Sequence, residues 1–448
     1  VNAAWQRWEA TGLLALAGVL VGLGHRGGSL AVASWLGIAV AAAALRRARD
    51  VAPVVTGLLL GCMLEPPVGF PWNYEAVRIY IPWRPVWLWW LVIDFLYAVT
   101  LRAPVFVAWL VARWRGWPAW SWLPLAWAAG EALHDVTTGM SYHAWLYAQW
   151  QVPWVLSAAA MMGWVPTMVL CLGAASAVGD AVVSRSRSAG ALAAALAVAL
   201  LLFPALPRGD TSVLDDVGAV HMDGYLEVPA RAPEGVGLLV FPERAQRNVA
   251  RMAEGPGAGR RISPPLSGPA GVARLEGLLA RTPDGFMNAL VALSPHGEVL
   301  GVRGKRVLFP FTERPWMGLT VGKWAGRLVP GKAPFVLEVA ARRAAGFLCF
   351  EALERGLVEE GAREGADLLV VAAIDNVLAH SPLAAEQILA VSVFRAVETG
   401  LPLVRASLFG PAAFISADGR ILASSAPGTS GVLTVRGDTP LASLGTDP

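Results

Sequence analysis

Three short segments place a chemically capable side chain beside an apolar, strand-like run. They are Val240-Phe241-Pro242-Glu243, Lys305-Arg306-Val307-Leu308-Phe309-Pro310-Phe311-Thr312-Glu313 and Phe347-Leu348-Cys349-Phe350-Glu351. Ligands of α/β sheets collect at the carboxyl ends of strands, so a carboxylate, an ammonium and a thiol placed there can converge. The chemistry would be nucleophilic attack on a carbonyl. The thiol gives its proton to a carboxylate, and the ammonium holds the oxyanion that develops. Lys305 is informative because the chain has three lysines against 33 arginines. Where arginine is the default cation, a lysine suggests that a compact, titratable ammonium is wanted. Each residue also has a plain structural reading, since a buried cysteine behaves as a small hydrophobe.

The elements that must position these residues alternate between strands and helices. Short apolar runs recur at about 217–222, 236–241, 287–293, 299–302, 346–350, 367–373, 402–407 and 412–416. Helical patterns occupy 352–364 and 384–399. This mixture predicts a layered α/β domain. The stretch 254–271, rich in Gly, Pro and Arg, reads as a mobile loop.

Composition divides the 448 residues in two. Residues 1–206 hold 12 Arg, no Lys, 8 acidic residues and 18 of the 20 Trp. Residues 207–448 carry charge about twice as densely. The mean hydropathy of +0.51 and a charged fraction of 15% exclude an ordinary cytosolic enzyme and a disordered chain. A net charge of +3 gives no case for a nucleic-acid partner. Three cysteines, Cys62, Cys171 and Cys349, are too few for a disulfide framework. The first half reads as a membrane domain of about seven helices, on apolar runs at 11–23, 29–45, 51–64, 85–112, 117–133, 153–182 and 189–206. Splitting the 85–112 run around Arg102–Pro104 would make eight.

With seven spans, the arginine clusters at 46–49, 113–115 and 185–187 share a side with the amino terminus. The positive-inside rule makes that side cytoplasmic and delivers residues 207–448 to the opposite one. Asp94, Arg102 and Glu131 lie inside spans, where pairing within the bundle or snorkelling is the plain reading. No His/Cys cluster has metal-ligand spacing and no phosphate-binding glycine loop is evident, so neither a metal nor another cofactor is expected.

Taken together, the three segments resemble the nitrilase, or carbon–nitrogen hydrolase, superfamily. With a multispan domain in front, the chain is similar to the apolipoprotein N-acyltransferases. That family has a PE motif, a K-x-x-L-V-P-F-G-E motif and a C-Y-E motif. They stand here as Pro242-Glu243, Lys305 through Glu313, and Cys349-Phe350-Glu351. Further matches are Asn288 through Val291, Gly365 through Val370, Phe394 through Gly400 and Asp418-Gly419-Arg420.

The resemblance implies a seven-helix transmembrane domain over 1–206 and a periplasmic nitrilase-like α-β-β-α domain over 207–448, in a bacterial inner membrane. It implies Cys349 as nucleophile, Glu243 as general base and Lys305 as oxyanion donor. Glu313, Glu351 and Phe350 would support them, with Glu313 and Glu351 orienting Lys305 and Cys349. The acyl donor would be a phospholipid, and the acceptor the amine of a diacylglyceryl-cysteine lipoprotein. Phe309, Phe311, Trp316, Phe347 and Phe350 would either guide acyl chains or pack in the core.

The chain departs from the family at several places. Phe350 replaces the tyrosine of C-Y-E, and Thr312 the glycine of P-F-G-E. The family's N-D-A-W-F-G loop aligns with Asp375 through His380 and lacks its tryptophan; His380 there is a base or a plain polar loop residue. The link from 217–222 to Glu243 is short, so the family's first helix is expected to be truncated, and the family's closing span is not expected within the residues after the α/β domain. Three alternatives follow: a relative with another amine acceptor, a membrane-anchored amidase with the same residues, or a non-enzymatic scaffold for a lipidated partner.

Overall fold

A computed structural model describes all residues except 1, 81–84, 139–142, 226–227, 246–248, 252–254, 261–267, 311, 316–325, 377–380, 427 and 445–448. Phe311, Trp316 and the altered loop positions Val377 through His380 therefore lie outside the described residues. The chain divides into two compact units, Val1–Leu206 and Pro207–Pro448.

The first unit is helical: α1 Asn2–Gly24, α2 Ala31–Arg47, α3 Val51–Gly69, α4 Asn73–Tyr80, α5 Val86–Arg115, α6 Leu123–Thr138, α7 Pro153–Met162, α8 Trp164–Ser184 and α9 Arg187–Leu201. Among the described residues, four helices are long and apolar enough to cross a membrane: Gly28–Arg47, Val51–Gly69, Val86–Arg115 and Trp164–Ser184. Shorter apolar helices cover Trp8–Gly24, Pro153–Met162 and Arg187–Leu201. The 85–112 run forms one helix that carries Pro104 inside it, so the division considered at Arg102–Pro104 does not occur. The 153–182 run, expected to be one span, is two helices. They break at Gly163, whose φ of 82° no helix interior accommodates.

Side-chain bonds define the two ends of this unit. Arg46 donates to the carbonyls of Gly116 and Trp117 and lies 3.9 Å from Asp180, while Arg47 pairs with Glu9. At the other end Arg26 donates to the Val68 carbonyl and the Gly28 N–H to Gln151. Inside, Arg102 pairs with Glu65 at 2.7 Å and lies over the Trp127 ring. Glu65 also accepts from Tyr97 and sits 3.6 Å from His25. Glu131 accepts from Trp127 Nε1 and the Trp145 backbone N–H. The apolar run at 51–64 stops just short of Glu65. The helix instead continues through Pro66 and Pro67 to Gly69, which buries that carboxylate as the partner of Arg102.

The second unit is built on one curled sheet. Its strands are β1 Val217–Met222, β2 Leu238–Val240, β3 Val249–Arg251, β4 Gly255–Arg260, β5 Ala273–Thr282, β6 Gly285–Leu293, β7 Val299–Gly304, β8 Val336–Val339, β9 Arg342–Leu348, β10 Leu368–Ile374, β11 Leu403–Leu408, β12 Ala413–Ile415, β13 Ile421–Ser424, β14 Gly431–Thr434 and β15 Gly437–Pro440. Helices α10 Arg355–Arg363, α11 Pro382–Thr399 and α12 Leu441–Leu444 complete it. The main path runs β4-β7-β6-β5-β2-β1-β11-β10-β9-β8.

Side chains two apart on a strand share a face. One face of Leu238/Val240, Leu290/Ala292, Leu368/Val370/Ala372 and Val404/Ala406 accordingly forms a single core with Leu337 and Leu348. The two halves of the path meet there closely. A Cβ on Gly346 of β9 would lie 2.2 Å from the end of the Leu290 side chain of β6, so the glycine leaves the room that this leucine fills. The mobile loop expected over 254–271 is corrected in part. Residues 255–260 form β4, whose backbone pairs with β7 although its Gly/Pro-rich sequence carries no strand alternation. Between Met222 and Leu238 no helix occurs among the described residues.

The topology sets where strand ends point. β1, β2, β9, β10 and β11 run parallel in the sheet. β2 is parallel to β5, and β5-β6-β7 is antiparallel at each step, so β7 runs in the same sense as β2. The carboxyl ends of β2, β7, β9 and β10 therefore open on one edge.

Candidate active site

Glu243, Lys305, Cys349 and Asp375 each follow one of those strand ends. Glu243 comes three residues after β2, where the Phe241 N–H still bonds to Leu275 of β5. Its backbone rests on Gly277 of β5: a Cβ there would fall 2.6 Å from the Glu243 Cα. Lys305 extends β7 by one residue. Its N–H donates to the Asn288 carbonyl and its own carbonyl accepts from Gly331.

The Lys305 ammonium is buried between two carboxylates, 3.3 Å from Glu243 Oε1 and 2.9 Å from Glu313 Oε2. The Asn288 side-chain amide donates to the same two carboxylates. Glu313 is fixed in turn by the Phe309 N–H, which donates to it at 2.7 Å, and by its own N–H on the Phe309 carbonyl. Burial works against the charge of Lys305. The negative groups around it more than compensate and hold its pKa above the ordinary lysine value. Glu243 is shifted up, first by burial and then by the charge of Glu313, against the pull of Lys305 and Asn288.

Cys349 opens the turn after β9 and is half-buried. Its φ of 48° lies in the left-handed region, a conformation that costs a side-chain-bearing residue about 1–3 kcal/mol and recurs at functional sites. The Sγ donates to the Ile374 carbonyl at 3.5 Å. Burial, then the charges of Glu243 and Asp375, push the thiol well above its usual range, while Lys305 pulls it down. The resting group is thus a thiol, which needs a base to become a nucleophile.

Glu351 lies two residues on and does not stand free beside the thiol. It is fully buried, receives both Nη groups of Arg303, and accepts backbone N–H bonds from Leu348 and Arg306. Burial raises its pKa, but Arg303 and these hydrogen bonds overcome that and hold it below the ordinary carboxylate range.

Phe350 packs edge-on against Phe309, with ring centroids 5.0 Å apart. Phe347 is core, packed against Phe335. Asn288 and Arg303 do not stand out as site residues in the sequence. The signal was present in each case, as a polar residue inside an apolar strand.

Asp375, the first residue of the altered loop in the sequence, follows β10. It accepts from the Arg405 guanidinium and from Ser407 Oγ, which fixes the strand end whose Ile374 carbonyl faces Cys349. Among the described residues no group of three or more His, Cys, Asp or Glu side chains is placed to hold a metal ion. A half-buried thiol, a buried ammonium and a base-competent carboxylate on one sheet edge can together perform acyl transfer through a covalent thioester.

A family model described as carbon-nitrogen hydrolase matches residues 215–443. The apolipoprotein N-acyltransferase of Geobacter metallireducens is 33% identical over 143 residues, covering 30% of this chain and 27% of that protein. The apolipoprotein N-acyltransferase of Sinorhizobium medicae is 27% identical over 216 residues, covering 44% of this chain and 40% of that protein. The chain thus spans less than half the length of these curated relatives. An amidase structure from Nesterenkonia sp. superposes with a TM-score of 0.33 at 19% identity, over 52% of this chain and 93% of that one.

Proposed function

Because the chain belongs to the carbon–nitrogen hydrolase family, we propose that it is an N-acyltransferase of the bacterial inner membrane, with a Glu243-Lys305-Cys349 triad on the periplasmic side. The observation that carries this reading is the placement of Lys305. Its ammonium is buried, fixed by two carboxylates and set on the same sheet edge as Cys349, whose thiol it pulls toward ionisation. The acyltransferase names of the curated relatives and the apolar helices of the first unit add support.

In the first half-reaction Glu243 takes the Sγ proton of Cys349, and the thiolate attacks an ester carbonyl of a phospholipid. The oxyanion forms within reach of Lys305 Nζ. The ester C–O bond then breaks, Glu243 returns the proton to the leaving alkoxide, and a lysophospholipid departs from a Cys349 thioester. In the second half-reaction the amine of a diacylglyceryl-cysteine attacks the thioester. Glu243 accepts an amine proton, the C–S bond breaks, and the proton returns to the thiolate. No metal or cofactor is called for in these steps.

The experiment is an acceptor competition. Purified protein is given phospholipid together with a synthetic diacylated lipopeptide, a simple primary amine, or a small amide alone. N-acylation of the lipopeptide supports the reading. Acylation of the simple amine only would indicate another acceptor, and amide hydrolysis without phospholipid would indicate an amidase.

A further inference from the structure

Arg303 precedes Lys305 by two residues on β7 and so shares its face of the strand. Its side chain is fully buried. Nη1 donates to Glu351 Oε2 at 2.7 Å and Nη2 to Glu351 Oε1 at 2.6 Å. Glu351 follows Cys349 by two residues. The same carboxylate accepts the N–H of Leu348, just before Cys349, and of Arg306, just after Lys305, at 2.9 and 2.6 Å. The guanidinium lies over the Phe335 ring at 4.6 Å, and Phe335 packs on Phe347 of β9 at 5.2 Å. One ion pair therefore ties the strand end that carries the ammonium to the strand end that carries the thiol, and an aromatic pair sets its plane.

We propose that Arg303 is a positioning residue for the acylation described above: through Glu351 it fixes the separation of Lys305 Nζ from Cys349 Sγ. The inference rests on that reading of Lys305 and Cys349. Stability alone is a weak reason for this pair. A buried ion pair replaced by apolar residues of similar size is often as stable or more so. What apolar residues do not reproduce is a planar, two-pronged bond that also gathers backbone N–H groups from both strand ends. A lysine at 303 keeps the charge and loses the fork.

The test uses the full-length protein in detergent as wild type, Arg303→Lys and Arg303→Met/Glu351→Met, with Cys349→Ala as background for the other two thiols. Three quantities are read: the melting temperature, the pH profile of iodoacetamide alkylation at Cys349, and the rate of acyl-adduct formation from phospholipid. The double variant also leaves the Leu348 and Arg306 N–H groups without their acceptor, so it is expected to stay folded but to melt several degrees below wild type. Its Cys349 should nevertheless alkylate only at higher pH, because the ammonium no longer stabilises the thiolate. Its adduct rate should fall about 100-fold, the scale of a misplacement of about 1 Å. Arg303→Lys should show the same two changes, and it carries the test if the double variant does not fold. Variants that fold with the wild-type profile and rate would overturn the inference. A wild type that neither alkylates at Cys349 nor forms an adduct would overturn the acylation reading itself, and this inference with it.

Discussion

Gly277 and Glu243 meet backbone against backbone: a Cβ on Gly277 would stand 2.6 Å from the Glu243 Cα and 2.8 Å from the Pro242 carbonyl oxygen. The clash is with main chain, which cannot swing aside as a long side chain does. Gly277→Ala should therefore push the carboxylate off its line to Lys305 and Asn288. The expected cost is about 1–3 kcal/mol of stability, as for other overpacked sites. The expected fall in turnover is about 100-fold. Chemical denaturation beside steady-state kinetics checks both, and an alanine variant with normal turnover would contradict this view of how Glu243 is placed.

The pH profile follows from the charges around Glu243. As the base it must be ionised, and burial together with Glu313 raises it above the ordinary 4.5. Activity should thus rise with pH along an acid limb centred above that value, and kcat/KM measured across the limb locates it. Removing the negative charge with Glu313→Gln should move the limb down, because Glu313 raises Glu243. The same change should also reduce the rate, since it loosens Lys305. An upward shift would contradict the assignment.

Lys305→Met removes the donor placed for the oxyanion. Loss of one such donor costs about 100- to 1,000-fold in kcat. Single-turnover acylation should show at least that loss, with substrate binding less affected. Lys305→Arg is not expected to restore the rate, because the buried space between Glu243 and Glu313 fits a compact ammonium rather than a planar fork.

In the helical unit, Arg102→Leu would leave the Glu65 carboxylate buried without its 2.7 Å partner. Breaking one side of such a pair costs about 3–5 kcal/mol. The double change Glu65→Leu/Arg102→Leu should cost less than Arg102→Leu alone. Thermal inactivation in detergent compares the two, and a double variant that loses as much as Arg102→Leu or more would contradict the pairing.

Glu243, Lys305 and Cys349 were legible as candidates because each stands within three residues of the end of a strand, β2, β7 and β9. The parts that were not legible share a physical cause. Strand β5 hides behind Arg274 and Glu276, two charges that the fold buries as a pair at 2.9 Å, so the segment never reads as an apolar run. Strand β4 pairs with β7 through its backbone, and its Gly/Pro-rich sequence carries no strand alternation. Glu65 falls just outside the apolar run at 51–64, yet the helix continues through Pro66 and Pro67 to Gly69. Asn288 and Arg303 were visible as polar residues in strands, but their partners are 45 and 48 residues away in sequence, and only the curl of the sheet brings them together.

The central claim is that Cys349 carries an acyl chain during turnover. Intact-mass spectrometry after incubation with phospholipid tests it most directly, with Cys349→Ala alongside. The predicted result is an added fatty-acyl mass on the wild type alone, released by hydroxylamine as a thioester is. An active, folded wild type that acquires no such mass, or an adduct that persists in Cys349→Ala, would contradict the account.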